Sequence, residues 1–202
     1  MERSLKVKRL EALEVINELS SQQPVVVTCA ATSRELASID NRPNHFYTLD
    51  SMGLVGSIAT GLAIAIENSP LTKVVAVEGD GSLLMNPNVL PTGGYIAPKK
   101  FLLIVLDNNV HGSTADLPTY ATQIDLAAIA EATGWAIGRA NDPVNLRQEY
   151  ERLAGHEGPA FLHVRIEAGN ASDIPKLLVD PVAITIRFRS WIQKHLHAST
   201  AN

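Results

Sequence analysis

The sequence contains little cysteine, and this scarcity excludes several kinds of protein. A single Cys among 202 residues cannot form a disulfide framework, an all-cysteine zinc site or a protein-held iron–sulfur cluster. Aromatic residues make up only 5% of the chain. The chain has 17 basic and 21 acidic residues, which gives a formal net charge of −4. General nucleic-acid binders carry a basic excess, so we expect no nucleic-acid partner.

Long hydrophobic runs and a leader-like segment are also missing. The longest apolar stretch, residues 54–66, is interrupted by Ser57 and Thr60. It is shorter than the roughly 20 residues that a membrane-spanning helix needs. Residues 1–19 alternate charged and apolar side chains, without the apolar centre of a signal peptide. We therefore expect a soluble, cytoplasmic protein with no membrane partner.

What is present is a hydrophobic fraction of 46%, in segments that alternate between strand and helix patterns. Strands are expected at residues 24–28, 46–49, 73–77, 101–106 and 160–166. Helices are expected at residues 5–19, from 32–35 onward, 51–67, from 82 onward, 125–133, 143–153 and 181–196. The helix at 51–67 has almost no charge, which predicts burial on most sides.

The two strongest strand patterns, at residues 73–77 and 101–106, are continuous apolar runs. Such runs are typical of parallel strands that are covered on both faces. The β-α-β alternation predicts an α/β fold: an open, mostly parallel, doubly wound sheet with helices on both faces. We expect one domain over residues 1–202, with an N-terminal and a C-terminal helix.

A Gly-Asp-Gly-Ser turn, Gly79 to Ser82, follows the strand at 73–77 and leads into a helix. Ligands of open α/β sheets bind at the carboxyl ends of the strands. The glycines allow close approach of the backbone, and the N–H groups of a helix start suit phosphate. Asp80 would repel a phosphate unless a cation lay between them, and Mg²⁺ fits that position. A plain turn aspartate is the alternative interpretation.

A second polar segment, residues 107–113, follows the strand at 101–106. An Asn side-chain oxygen and a backbone carbonyl from this segment could complete the coordination of the ion. His111 in the same segment could bind substrate or act as an acid–base group, or it could be an ordinary loop histidine. His45 could meet an anionic substrate across a subunit boundary, although a structural role is the alternative.

The order of strand, Gly-Asp-Gly-Ser turn, helix, apolar strand and Asn-Asn pair resembles the thiamin-diphosphate-binding signature. The resemblance implies thiamin diphosphate and Mg²⁺ as cofactors. It implies that Asp80, Asn108 and the carbonyl of Val110 bind Mg²⁺, and that Gly81 and Ser82 contact the diphosphate. Asn109 is the alternative ligand, because the preceding Asp107 makes the register ambiguous by one residue.

Other segments resemble phosphonopyruvate and sulfopyruvate decarboxylases: Thr32-Ser-Arg-Glu-Leu36, Asn44-His-Phe-Tyr47, Ser51-Met-Gly53, and His111-Gly-Ser-Thr114 followed by Pro118-Thr119. The likeness covers roughly residues 25–119. It implies that Met52 lies beneath the cofactor and that the carbonyl of Asp50 accepts a hydrogen bond from the cofactor's 4′-amino group. The cofactor-binding set that it implies also includes Ser51, Gly53, Gly79 and Gly112, with His111 and His45 as the catalytic candidates.

Three segments depart from this family. Asp50 stands where Gly is usual, Ala30-Ala31 replaces a Gly-containing pair, and Ala115-Asp116-Leu117 replaces a Gly-Gly-Gln-like turn. The nearby Arg34 could pair with a phosphonate or sulfonate, or with Glu35 or Asp40.

The resemblance also implies a partner. In this family, the glutamate that protonates the cofactor's pyrimidine ring belongs to a second, pyrimidine-binding domain, and one domain of this length cannot be both. We therefore expect the diphosphate-binding, β-type subunit of a decarboxylase in an α2β2 assembly or its multiple. The helix at 54–66 and the region 83–90 are the candidate interface with the pyrimidine-binding, α-type subunit.

The implied reaction converts a small 2-oxo acid, phosphonopyruvate or sulfopyruvate, to an aldehyde and CO₂. The alternatives are a carboligase subunit, as in acetolactate synthase-like enzymes, and a non-catalytic scaffold subunit that keeps the fold.

Overall fold

The computed structural model describes residues 6–196. Its strands are β1 (Val25–Val27), β2 (His45–Tyr47), β3 (Val74–Gly79), β4 (Lys100–Asp107), β5 (Val110–His111), β6 (Leu117–Pro118), β7 (Ala136–Ala140) and β8 (Gly158–Arg165). Its helices are α1 (Arg9–Leu19), α2 (Ala31–Ile39), α3 (Val55–Ala65), α4 (Asp80–Met85), α5 (Val89–Ile96), α6 (Leu126–Ala132), α7 (Pro143–Ala154) and α8 (Pro181–Leu196).

Six of the strands form one sheet in the order β2-β1-β3-β4-β8-β7, and all neighbours in it are parallel. The chain runs outward from β1 to β2 and then crosses back to β3 on the other side of β1. The strand order therefore reverses between β1 and β3, which is where ligands bind in doubly wound sheets. The predicted α/β architecture is confirmed.

The sheet is covered on both faces because alternate residues of each strand point to opposite sides. In β1, Val25 and Val27 belong to a hydrophobic layer with α1, α2 and α7, whereas Val26 belongs to a layer with α3, α5 and α6. Helix α8 begins at Pro181, as predicted, and contributes to both layers. Its Phe188 ring lies 5.4 Å from that of Phe46, so it covers the outer edge of β2.

Some predicted boundaries were wrong for tertiary reasons. The first helix begins at Arg9, because Val7 forms a parallel bridge with Ile166 instead; residue 5 lies outside the described residues. The helical pattern from residue 82 is two helices, of which α4 already starts at Asp80. The edge strand β7 was not anticipated, since Gly138 and Arg139 interrupt its apolar pattern.

The prediction that the helix at 51–67 is buried on most sides was also wrong. Helix α3 buries one stripe, while Leu54, Ile58 and Ile64 keep 45%, 37% and 47% of their surface exposed. The nearby Met85 is 61% exposed, whereas Leu83 and Leu90 lie in the core. The described chain thus leaves an apolar surface, here called the α3 face (Leu54, Ile58, Ile64 and Met85).

Within residues 6–196, no helix is both long and apolar enough to cross a membrane.

Candidate active site

A cavity of about 310 Å³ opens at the carboxyl ends of the central strands, at the reversal between β1 and β3. Residues that follow four of the strands at this edge line it: Thr32 and Arg34 after β1, Asp50 and Met52 after β2, Asp80 to Ser82 after β3 with Gly79 at its end, and Asn108 and Val110 to Gly112 after β4. The predicted Gly-Asp-Gly-Ser turn and the Asn-containing segment therefore meet in one cavity.

Asp80 is the first residue of α4 and is only 2% exposed. Its Oδ2 accepts a hydrogen bond from Thr119 Oγ1 at 2.6 Å. Burial, opposed by the hydrogen bond from the Thr119 hydroxyl and aided by the nearby charge of Asp107, raises the pKa of Asp80 to about 6. A cation beside this carboxylate would offset the cost of keeping it charged in the cavity.

The two neighbouring asparagines have different surroundings. Asn109 adopts a left-handed conformation, with φ of 65°, and its Oδ1 accepts a hydrogen bond from Arg165 at 2.8 Å. Asn108 lines the cavity, and its Oδ1 accepts from the backbone N–H of Val110 at 3.1 Å. Asn108 is thus the asparagine that lines the cavity, whereas the amide oxygen of Asn109 is bonded to Arg165.

Asp107 holds in place the loop that carries Asn108 and Asn109. Its carboxylate is bonded by His163 Nε2 and by Arg165, each at 2.7 Å, and by the backbone N–H of Asn109 at 2.9 Å. Burial alone would raise the pKa of Asp107, but the hydrogen bond from His163 and the charge of Arg165 outweigh it and hold that pKa below its usual range. No sequence pattern points to His163 and Arg165, which lie on β8 and reach Asp107 only through the pairing of β8 with β4.

Ser82 joins three elements around the turn. Its Oγ accepts the backbone N–H of Gly53 at 2.8 Å and lies 3.1 Å from the hydroxyl of Thr28. Gly53, with φ of +75°, occupies a conformation that favours glycine. Gly53 therefore contributes through this backbone contact, while Ser51 is exposed and lies outside the residues that line the cavity.

Glu78, directly before the turn, is another buried carboxyl group near the site. It is 1% exposed, and its Oε1 has no hydrogen-bond partner in the described structure. Burial raises the pKa of Glu78, against the opposing effect of the Ser82 and Thr28 hydroxyls. In the sequence, the one signal for a role of Glu78 at the site is its position directly before the Gly-Asp-Gly-Ser turn.

His111 lies against the turn from the opposite side. A Cβ placed on Gly81 would come within 2.5 Å of His111 Nδ1, so only glycine fits there without displacing the ring. Gly112 also lines the cavity. The structure therefore brings His111, Gly81 and Gly112 together.

His45 is not brought to this site. It begins β2, opposite Val25 at the amino-terminal end of β1, and is 0% exposed. Its Nδ1 lies 3.2 Å from the Tyr47 hydroxyl, and burial lowers its pKa to about 4. This placement argues against the predicted contact with substrate, and a structural role fits His45 instead.

The donor set suits a metal that is shared with a phosphate ligand. Among residues 6–196 no group of three or more His, Cys, Asp and Glu could hold an ion by itself. Asp80, the amide oxygen of Asn108 and the carbonyl of Val110 could supply oxygen ligands at the cavity, with the rest coming from a bound phosphate. Mg²⁺ is commonly held in this way, by few protein oxygens and the phosphates of its ligand.

Comparison with known proteins agrees with this chemistry. Residues 27–164 match the family model described as thiamine pyrophosphate enzyme, C-terminal TPP binding domain. Sulfopyruvate decarboxylase subunit beta of Methanothermobacter thermautotrophicus is 38% identical over 182 residues, which cover 90% of this chain and 94% of that protein.

Phosphonopyruvate decarboxylase of Streptomyces viridochromogenes is 34% identical over 91% of this chain, but only 46% of that protein is covered. Among solved structures, a putative thiamin diphosphate-dependent enzyme from Mycobacterium smegmatis superposes with a TM-score of 0.70 over 80% of this chain and 32% of that one. At 20% identity, this last likeness concerns the fold alone.

Proposed function

Because the chain belongs to the thiamine pyrophosphate enzymes, through their C-terminal TPP binding domain, we propose that it is the diphosphate-binding, β-type subunit of a decarboxylase. The proposed substrate is an acidic 2-oxo acid, sulfopyruvate or phosphonopyruvate, and the products are an aldehyde and CO₂. The observation that carries the proposal is the meeting of Asp80, Ser82 and Asn108 in one cavity, in a chain that aligns with 94% of a sulfopyruvate decarboxylase beta subunit.

In this proposal the chain's own residues bind and orient the cofactor. Asp80, Asn108 and the Val110 carbonyl hold Mg²⁺, while Gly79, Gly81, Ser82 and Gly112 allow the backbone to approach the diphosphate. Asp50, through its carbonyl, and Met52 contact the remainder of the cofactor. When bound, thiamin diphosphate supplies an electron sink for the loss of CO₂. His111, beside Gly81, is the candidate to donate or accept a proton at the substrate.

The proposal includes a separate pyrimidine-binding, α-type chain that supplies the catalytic glutamate, in an α2β2 assembly or its multiple. Support comes from relatives that are named as beta subunits, and from the unburied α3 face. Exposed Leu54, Ile58 and Ile64 on one helix form an apolar surface of the kind that protein interfaces bury.

The first experiment is to purify the chain natively from its source and to weigh the intact complex by mass spectrometry. A second chain of domain size, with thiamin diphosphate and Mg²⁺, is expected. The complex should then release CO₂ from sulfopyruvate or phosphonopyruvate and form an aldehyde. A hydroxy-keto acid product would indicate a carboligase instead.

Two variants complete this test. Asp80→Ala should abolish cofactor retention and CO₂ release, whereas unchanged retention and activity would favour a scaffold subunit. Ile58→Asp should separate the chain from its partner while the isolated chain keeps its unfolding temperature. Asp at the similarly apolar but distant Ile186, which is 61% exposed on α8, serves as the control that should leave the complex intact.

A further inference from the structure

Two guanidinium groups line the cavity, and only one of them is neutralised. Arg9 pairs with Glu35 through Nε at 3.1 Å and also donates to Asn170 Oδ1 at 2.6 Å. Arg34 lies on α2 and reaches the same cavity. Within residues 6–196, Arg34 has no ion pair or hydrogen bond to another side chain or to the backbone through its guanidinium.

The carboxylates that are nearest to Arg34 in sequence are already used. Glu35 is held by Arg9 and by the backbone N–H of Ala171, and Asp40 pairs with Arg42 at 2.6 Å. A guanidinium carries five N–H donors and no acceptor. Among residues 6–196 no side chain or backbone group accepts from the guanidinium of Arg34, so its donors are available to a ligand in the cavity.

Arg34 and the residues that are proposed to hold the metal come from the ends of different strands. Asp80 follows β3, and Asn108 and Val110 follow β4, so these oxygen ligands belong to the β3–β4 side of the cavity. Arg34 follows β1, which is on the other side of β3. The guanidinium of Arg34 therefore reaches the cavity from the β1 side, where it can bind an anionic group of a ligand.

We infer that Arg34 binds the second acidic group of the substrate, the sulfonate or phosphonate on the carbon beside the keto group. The inference rests on the proposed function and assigns to one residue the preference for substrates with two acidic groups. Guanidinium suits this task because its planar fork can donate two parallel hydrogen bonds to a tetrahedral oxyanion. A 2-oxo acid with only its carboxylate, such as pyruvate, would leave Arg34 unpaired.

The test uses the assembled complex with Arg34→Gln, Arg34→Lys and, as a control, Arg189→Gln. Arg189 is exposed on α8, so its replacement removes the same charge outside the cavity. For Arg34→Gln, kcat/KM for sulfopyruvate and phosphonopyruvate should fall about 10- to 100-fold, mainly through KM, because a hydrogen bond between charged groups is lost. The Kd for thiamin diphosphate and the kcat/KM for pyruvate should change less than about threefold.

Arg34→Lys, which keeps the charge but not the fork, should recover part of the loss. Comparing the sulfonate with the phosphonate shows which of the two Arg34 favours. An equal loss for pyruvate, or weaker binding of thiamin diphosphate in Arg34→Gln, would overturn the assignment, since Arg34 would then serve the common part of the substrate or the cofactor.

A calorimetric titration with 3-sulfopropanoate separates this inference from the proposed function. This probe has both acidic groups of sulfopyruvate but no keto carbon, so its binding needs no turnover. The parent complex should bind it at least about tenfold more tightly than Arg34→Gln. If none of the three acids is decarboxylated, the proposed function fails, yet this titration still decides on Arg34. Equal binding by parent and variant, or no binding by the parent, overturns the role of Arg34.

Discussion

Arg165 donates a hydrogen bond to the side-chain oxygen of Asn109 at 2.8 Å, across the paired ends of β8 and β4. The same guanidinium also bonds Asp107 at 2.7 Å. The first of these bonds occupies the amide oxygen of Asn109, while Asn108 is the asparagine that lines the cavity. The sequence pattern left open whether Asn108 or Asn109 is the metal ligand, and this arrangement favours Asn108.

The first prediction concerns this pair. Asn108→Ala should weaken the Mg²⁺-dependent binding of thiamin diphosphate about tenfold or more, measured by calorimetry at fixed Mg²⁺. Asn109→Gly keeps a residue that tolerates the φ of 65° and should weaken binding less. It should instead lower the free energy of unfolding by about 1 kcal/mol through the lost Arg165 contact. A larger loss of affinity in Asn109→Gly than in Asn108→Ala would place the ligand at 109.

A second prediction follows from the hydroxyl of Ser82. In Ser82→Ala the buried N–H of Gly53 loses its acceptor, so the free energy of unfolding should fall by about 1–3 kcal/mol. Urea unfolding measures this loss. Ser190→Ala, an exposed change on α8, should stay within about 0.5 kcal/mol of the parent. Equal stability of Ser82→Ala and the parent would show that the hydrogen bond contributes nothing to stability.

A third prediction concerns backbone strain at the edge of the cavity. Ala30 has φ of 61° and ψ of −131°, a conformation that costs a residue with a Cβ about 1–3 kcal/mol. Ala30→Gly should therefore raise the free energy of unfolding by about 1 kcal/mol, after the larger entropy of glycine in the unfolded chain is subtracted.

Ala31→Gly is the matched control for this change. Ala31 is the first residue of α2 and has helical geometry, so glycine there should lower stability by up to about 1 kcal/mol. Thermal and urea unfolding of the two variants should move in opposite directions, and a decrease in both would contradict the strain at Ala30.

The fourth prediction is a pH dependence that comes from His45. Burial, aided by the charges of Arg42 and Arg187 and opposed by that of Asp40, lowers the pKa of His45 from 6.5 to about 4 in the folded chain. Between these values the unfolded chain binds the proton and the folded chain does not, so acid favours unfolding. The contribution is complete above pH 6.5 and is lost as the pH falls toward 4.

Between pH 7.5 and pH 5 this effect should remove about 2 kcal/mol from the free energy of unfolding. His45→Asn, which keeps a polar group near the Tyr47 hydroxyl, should show a correspondingly smaller loss in urea titrations at the two pH values. His156→Asn, a change of an exposed histidine, should keep the full loss. A parental pH dependence in His45→Asn would mean that other groups are responsible.

Features that depend on neighbouring residues along the chain were predictable from the sequence. The continuous apolar runs of β3 and β4 predicted covered parallel strands, because such runs cannot face water on either side. The Gly-Asp-Gly-Ser turn and the Asn-containing segment predicted a phosphate and metal site, because each comes directly after one of these strands.

Features that depend on contacts between distant segments are evident only from the three-dimensional fold. The pairing of β8 with β4 brings Arg165 to Asn109. These residues are 56 positions apart, so no local sequence pattern indicates that they are in contact. The register of β2 on β1 buries His45 at the amino-terminal end of β1, away from the cavity. The sequence segment around His45 had suggested a site residue instead. The pairing of Glu35 with Arg9 leaves Arg34 unpaired in the cavity, because side chains choose partners by distance in space and not along the chain.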